Sequence, residues 1–316
     1  MKYKNLMLLA WPLMVLLALT SCEKVNFDDN DDSPSPSVPA DANLVLKVAT
    51  KGTRGEDVPW TTLNFVVYQA GKKLKSVTQH IDDEQFGEVG LKLTPGTYQV
   101  MVLAHSSLNP SLSDPTNVKF DNKGGFSDTF GAYTDIVVSE TPQTHEISLS
   151  RYTAMVRFKT KDAKPAAAKM IRFYYTGGSG AINLVSGYGV DASKQSIDID
   201  LPDSLNGKTL QFELYTFPRT DDAKLKLLVS IFNNNGTLIN YPSTSGGIKT
   251  IENIPIKRNQ ITECSGYFFT NGSGNSDDTG GDDSGDDNND NTGENSDASF
   301  TIVVDTEWDG ETNYDY

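Results

Sequence analysis

The sequence predicts an all-β protein built from two consecutive strand-rich stretches, residues 43–150 and 151–270. Three observations carry that expectation. Apolar residues recur mostly at every second position, the period of a strand with one buried face. The runs are short and separated by Gly, Pro and Asn, the punctuation of antiparallel sandwiches rather than of strand–helix–strand units. Pro59, Pro110, Pro115 and the glycines near position 124 interrupt any long helical pattern.

In the first stretch, Leu44, Leu46 and Val48 alternate with Val45 and Lys47. Leu63, Phe65 and Val67 share a face of the next strand, Gly71 opens a turn, and Leu74 and Val77 mark a shorter strand. Phe86–Leu93 leads through the turn dipeptide Pro95-Gly96 to Tyr98–Ala104, and Ile136–Val138 and Ile147–Leu149 complete the unit. In the second stretch, Ala154, Val156 and Phe158 begin the alternation, and Ile171, Phe173 and Tyr175 continue it. Lys161–Ala168 is locally permissive for a helix but too short to define a helical domain. Ile197, Ile199 and Leu201 alternate with Asp198 and Asp200, burying one face and wetting the other. Leu210–Leu214 and Leu225–Ile231 repeat the pattern, and the stretch ends at Ile254–Ile256 and Tyr267–Phe269.

The two ends of the chain are of different character. Lys2 and Lys4 precede a 14-residue apolar run, Leu6–Leu19. That is short for a membrane span of about 20 residues but suits a secretory signal peptide, residues 1–21. It ends in Leu19-Thr20-Ser21-Cys22, which resembles a bacterial lipobox, where the cysteine thiol is acylated and becomes the new N-terminus. Residues 22–42 then read as an acidic, Pro-rich tether, in which Pro34, Pro36 and Pro39 favour extension. At the other end, residues 271–297 hold nine acids and no Lys or Arg, a composition that predicts a disordered linker. Beyond it, in residues 298–316, Phe300, Ile302 and Val304 alternate with polar neighbours and Trp308 follows. An apolar strand after such a linker is expected either to complete a sheet of its own molecule or to add to a partner's open edge.

The composition excludes more than it selects. A formal charge of -15 in 316 residues argues against a nucleic-acid partner, which needs clustered positive charge. Cys22 and Cys264 are the only cysteines, so neither a disulfide scaffold nor a cysteine-built zinc site is expected, and Cys264 should be a buried single thiol. His80, His105 and His145 are isolated, and no catalytic or phosphate-loop motif occurs. Gly177-Gly178-Ser179-Gly180 reads as a hairpin turn. Counted from Asn288, the tail places Ser299 where a calcium loop needs Glu, and Asp114, Asp121 and Asp128 lack ligand spacing. No catalytic residue, cofactor or metal is expected. Tyr174, Tyr188, Tyr241 and Tyr267 offer ring faces for an alternative role in glycan binding, although aromatics in strands more often pack sheets.

Taken together, the lipobox, the two strand-rich halves, Arg258-Asn259-Gln260-Ile261-Thr262 leading to Gly266-Tyr267-Phe268-Phe269, and Phe300–Val304 with Trp308-Asp309-Gly310 resemble fimbrillin-like lipoproteins of Bacteroides-type bacteria, in the FimB/Mfa2 fimbrial anchor family. The resemblance implies two tandem transthyretin-like antiparallel β-sandwich domains. It implies lipid attachment through Cys22 to the outer membrane at the cell surface. It also implies a non-enzymatic role as anchor or accessory subunit of a fimbria whose subunits join by strand donation. Its partners would be shaft or accessory subunits, with a host or bacterial surface ligand for the alternative, a tip adhesin or glycan-binding lipoprotein. Arg54, in Lys51–Glu56, matches the loop where shaft subunits are cleaved, and the expectation for an anchor is that Arg54 stays uncut. Arg258–Thr262 and Tyr267–Phe269 are read as closing the second sandwich, and the terminal strand as docking on its own molecule.

Overall fold

The computed structural model of the protein describes residues 38–48, 58–107, 109–121, 125–270 and, for the backbone, 300–305. Each stretch begins on a strand with the expected alternation. In β1 (Leu44–Val48) every second residue is buried. β2 (Thr62–Gln69) and β3 (Lys72–His80) form a hairpin whose two turn residues, Ala70 and Gly71, both have positive φ (50° and 75°). A two-residue hairpin loop needs that backbone to match the strand twist. β4 (Glu88–Leu91), β5 (Gly96–His105), β6 (Val118–Lys119), β7 (Phe130–Val138), β8 (Gln143–Ile147) and β9 (Ser150–Arg151) follow. Apart from β6, the strands of this stretch make two sheets, with orders β4-β1-β8 and β3-β2-β5-β7-β9. Leu44, Leu46, Trp60, Phe65, Tyr98, Val100, Phe130 and Ile147, drawn from both sheets, share one hydrophobic cluster.

The second stretch contains β10 (Ala154–Thr160), β11 (Met170–Thr176), β12 (Ala181–Asn183), β13 (Tyr188–Gly189), β14 (Gln195–Asp200), β15 (Gln211–Thr216), β16 (Leu225–Phe232), β17 (Ile248–Ile254) and β18 (Ile261–Gly266). After the acidic segment comes β19 (Phe300–Asp305). The sheet orders are β15-β10-β18-β19 and β14-β11-β16-β17. Their shared cluster is aromatic, with Phe158 and Phe173 in edge contact at 5.4 Å and Phe158 and Phe268 at 6.1 Å.

Two features differ from the sequence reading of purely antiparallel sheets and a permissive helix. β1 runs parallel to β8, and β10 runs parallel to β18. In both cases the chain crosses through the opposite sheet before its last strand returns beside the first, and only such a crossover permits a parallel pair. Lys161–Ala168 forms no helix. Its amides go elsewhere, Lys161 N–H to Gly266 O and Lys164 N–H to Lys208 O, while Pro165 interrupts the run.

A third cluster joins the stretches. β2 and β5 are buried on both faces near the junction, because Val66, Tyr68, Met101 and Leu103 turn away from the first core. They pack against Phe120, Phe126, Tyr152, Ile182, Leu184 and Phe217. β6 pairs with β12, so a small sheet, β13-β12-β6, takes strands from either side of residue 150. The glycine run before β12 serves close packing. A Cβ on Gly178 would stand 1.9 Å from Thr216 Oγ1, and one on Gly177 would stand 2.2 Å from Lys224 O.

Candidate functional site

The terminal strand lies on the free edge of β18. Its antiparallel register sets Phe300 opposite Gly266, Ile302 opposite Cys264 and Val304 opposite Thr262. Cys264 itself is fully buried, and burial pushes its thiol up to about 12, far from a reactive thiolate. Where the chain leaves β18, the Asp162 carboxylate accepts backbone N–H bonds from Phe268, Phe269 and Thr270 at 2.6–3.1 Å. This clamp puts Phe268 and Phe269 in the core beyond the strand, so these two rings seal the cluster without being a strand, while Tyr267 stays exposed. Cys22, Arg54 and Trp308 lie outside the described residues.

A polar clasp that sequence reasoning missed ties the two stretches together. The Arg151 guanidinium donates to both Asp128 oxygens at 3.0–3.1 Å, and both side chains are nearly buried. Thr153 Oγ1 adds a bond to Asp128 at 2.8 Å, and Arg151 Nη1 reaches Asn259 Oδ1 at 2.9 Å. Arg151 also lies over the Phe130 ring, 4.6 Å from its centre. Burial raises the Asp128 carboxyl against the opposing pull of Arg151. Beside Asn259, which holds a left-handed φ of 57°, Arg258 stacks at 5.8 Å from Tyr152 and 5.6 Å from Tyr188. The Arg258-Asn259 turn thus grips the connection between the stretches as well as leading into β18. The only sequence signal for Asp128 was its loop context, which it shares with many solvated acids.

The three histidines do not converge. His105 is buried between Asn64 Oδ1 at 2.8 Å and Ser107 O at 3.0 Å, and burial lowers its pKa to about 4. A neutral ring fits both contacts with Nδ1–H donating to Ser107 O and the Asn64 side-chain amide turned to donate to Nε2. His80 approaches Thr62, and His145 lines a groove of about 400 Å³ between β7 and β8 with Tyr133, Asp135 and Ser148. Among the described residues no group of three or more His, Cys, Asp or Glu side chains could hold a metal ion. Of the four tyrosines considered for glycan contact, Tyr188 and Tyr267 are 37% exposed, while Tyr241 packs edge-on against Phe269 at 5.0 Å.

Several solved structures are similar to the chain at low identity. A candidate adhesin from Bacteroides ovatus is 13% identical, with 70% of this chain and 87% of that one covered and a TM-score of 0.46. A candidate polysaccharide-binding protein from Bacteroides thetaiotaomicron is 16% identical, covering 72% of this chain and 91% of that one at 0.45. The fimbrial anchor protein Mfa2 from Porphyromonas gingivalis is 11% identical, covering 71% and 90% at 0.40. Likenesses this distant lend no function to the chain. No curated protein matches it. The family described as "Family of unknown function (DUF6562)" matches residues 63–316, most of the length, and the chain belongs to that family.

Proposed function

We propose that the protein is a non-enzymatic surface lipoprotein, held at the outer membrane through Cys22, that serves as anchor or accessory subunit of a fimbria in cell adhesion. The observation that carries this reading is the pairing of two ends. One end has an export sequence closing on Leu19-Thr20-Ser21-Cys22; the other has a strand, β19, laid on a sheet edge after a 27-residue acidic segment, 271–297. An acylated end engages a membrane, and a separately tethered strand is a unit that pairs with sheet edges. For the body we infer two tandem transthyretin-like sandwiches, residues 43–150 and 151–270. The recurrence of one strand order in both stretches supports that reading. With the lipid on the N-terminal side of Arg54, an anchor keeps that bond uncut.

The test is performed in cells. Wild-type protein should incorporate a fatty-acid label and copurify a fimbrial shaft subunit from the membrane fraction. Cys22→Ala should lose the label and release the protein with its shaft. Saturable binding of defined glycans, with no polymer partner in the pull-down, would replace the fimbrial role by the tip-adhesin or glycan-binding alternative.

A further inference from the structure

Corresponding sheet edges in the two stretches are treated differently. The outer edge of β18 is covered by β19 over six register positions. The outer edge of β8, which holds the same place beside β1 that β18 holds beside β10, has no strand on it among the described residues. Gln143 gives its N–H to Asn43 O on the β1 side. Successive residues of a strand direct their backbone groups to opposite sides, so Thr144 and Glu146 present theirs to the open side.

Three other edges carry features that discourage pairing. β3 exposes Lys72, Lys73 and Lys75. β4 is only four residues long, and Val38 and Pro39 cover its face at Gly90, 2.5 and 3.0 Å from a Cβ built there. The ladder of β17 slips in register, and Asn253 has φ 59°. β8 has no proline, no lysine or arginine and no register break, and with His145 neutral Glu146 is its single charge.

We propose that β8 pairs antiparallel with β8 of a second copy of this chain, about a two-fold axis at His145. The two three-stranded sheets become one of six strands. This register sets Thr144 opposite Glu146 of the second copy, so the outward-facing backbone groups bond in pairs, and Gln143 opposite Ile147 of the second copy. No like charges oppose each other, which makes the strand complementary to itself. Ile147 belongs to the core side of its sheet. The second copy's Gln143, His145 and Ile147 therefore face the groove between β7 and β8. That groove has room for them: β7 is paired by β9 only as far as Gly131, and Gln143 Nε2 closes the far end on Val137 O at 2.7 Å. The inference is independent of the fimbrial reading.

The chain from Cys22 onward, carrying Cys22→Ala, is followed by analytical ultracentrifugation over a concentration series, with a monomer–dimer equilibrium expected. Thr144 is exposed in the single chain, so substitutions there should leave the thermal midpoint of the dilute monomer unchanged. Thr144→Glu opposes two pairs of carboxylates across the axis and weakens the dimer by about two- to thirtyfold. Thr144→Lys sets a lysine against Glu146 twice and tightens it by a similar factor. A chain that stays monomeric throughout, or two variants that shift the equilibrium in the same direction, overturns the proposal.

Discussion

The strands of residues 44–147 and those of residues 154–266 repeat one plan. In both, the first strand lies between an antiparallel fourth and a parallel last one, β4-β1-β8 and β15-β10-β18. The opposite sheets, β3-β2-β5-β7 and β14-β11-β16-β17, are antiparallel throughout. The differences are additions to that plan. Each run adds an eighth strand, but to a different sheet: the two-residue β9 beside β7 in the first, and the six-residue β19 beside β18 in the second. The turn before β8 is Ser139–Pro142, whereas the turn before β18 carries Arg258 and Asn259, which grip the connection. All three histidines lie in the first run. The first run closes a hydrophobic cluster with seven strands and the short β9, so β19 is not required by the plan it extends.

The largest expected effect is on the clasp that both runs share. Asp128→Ala leaves the Arg151 guanidinium in a nearly buried place without its carboxylate. Breaking one side of a buried pair costs about 3–5 kcal/mol. Because Arg151 also holds Asn259, both runs should lose stability together. Denaturant unfolding measures this, read in a Trp308→Phe background through the fluorescence of Trp60, buried in the first core, and through far-ultraviolet circular dichroism. A loss under about 1 kcal/mol would show that the third hydrophobic cluster and the β6–β12 pairing join the runs without the clasp.

Acid should separate the runs. His105 is held neutral by burial, with a folded pKa of about 4 against an ordinary 6.5. The unfolded chain therefore takes up a proton first as pH falls. The stability this histidine contributes is present above pH about 6.5 and is lost as pH falls toward 4, by about 3 kcal/mol in all. The Trp60 signal should report that loss, and His105→Gln should flatten it. In the second run, Asp198 and Asp203 are held below the ordinary carboxylate range by bonds to Arg172 and Lys169. Their contribution fades only at lower pH, beneath the histidine window. A pH slope equal in wild type and His105→Gln would break the contrast.

What was legible in the sequence follows the same division between plan and addition. β1, β2, β5, β10, β11 and β16 announce themselves because one face of each is apolar. β8 was displaced to Ile147–Leu149 because Gln143-Thr144-His145-Glu146-Ile147 has one strong apolar residue. β18, Ile261-Thr262-Glu263-Cys264-Ser265-Gly266, was hidden for a similar reason. Both lie beside a first strand that already supplies the apolar face. Their parallel sense was illegible because chain closure across about a hundred residues sets it, and local period carries no trace of that. Asp128 and Arg151 are ordinary surface types until the fold buries them, and no spacing links position 128 to 259.

The smallest effect should come from the most conspicuous addition. β19 forms six register pairs with β18, and cross-strand pairs contribute about 0.2–1 kcal/mol each. Against this stands closure of the acidic segment. For a chain as free as its composition predicts, (3/2)RT ln n over about 30 residues is near 3 kcal/mol. Gain and cost are of the same size, so docking on its own edge is close to balanced. Deleting residues 298–316 should therefore lower stability by about 1 kcal/mol, or an unfolding midpoint by about 2–4 °C. The loss should be confined to the second run, leaving the Trp60 transition in place. Cys264, opposite Ile302 in the ladder, supplies a local readout: its thiol should react faster with a maleimide in the truncated chain. A fall of many degrees, moving both transitions, would make β19 part of the core and end its equivalence to an empty position beside β8. An unchanged midpoint with unchanged thiol protection would show the edge of β18 closing without it, as the first run already does.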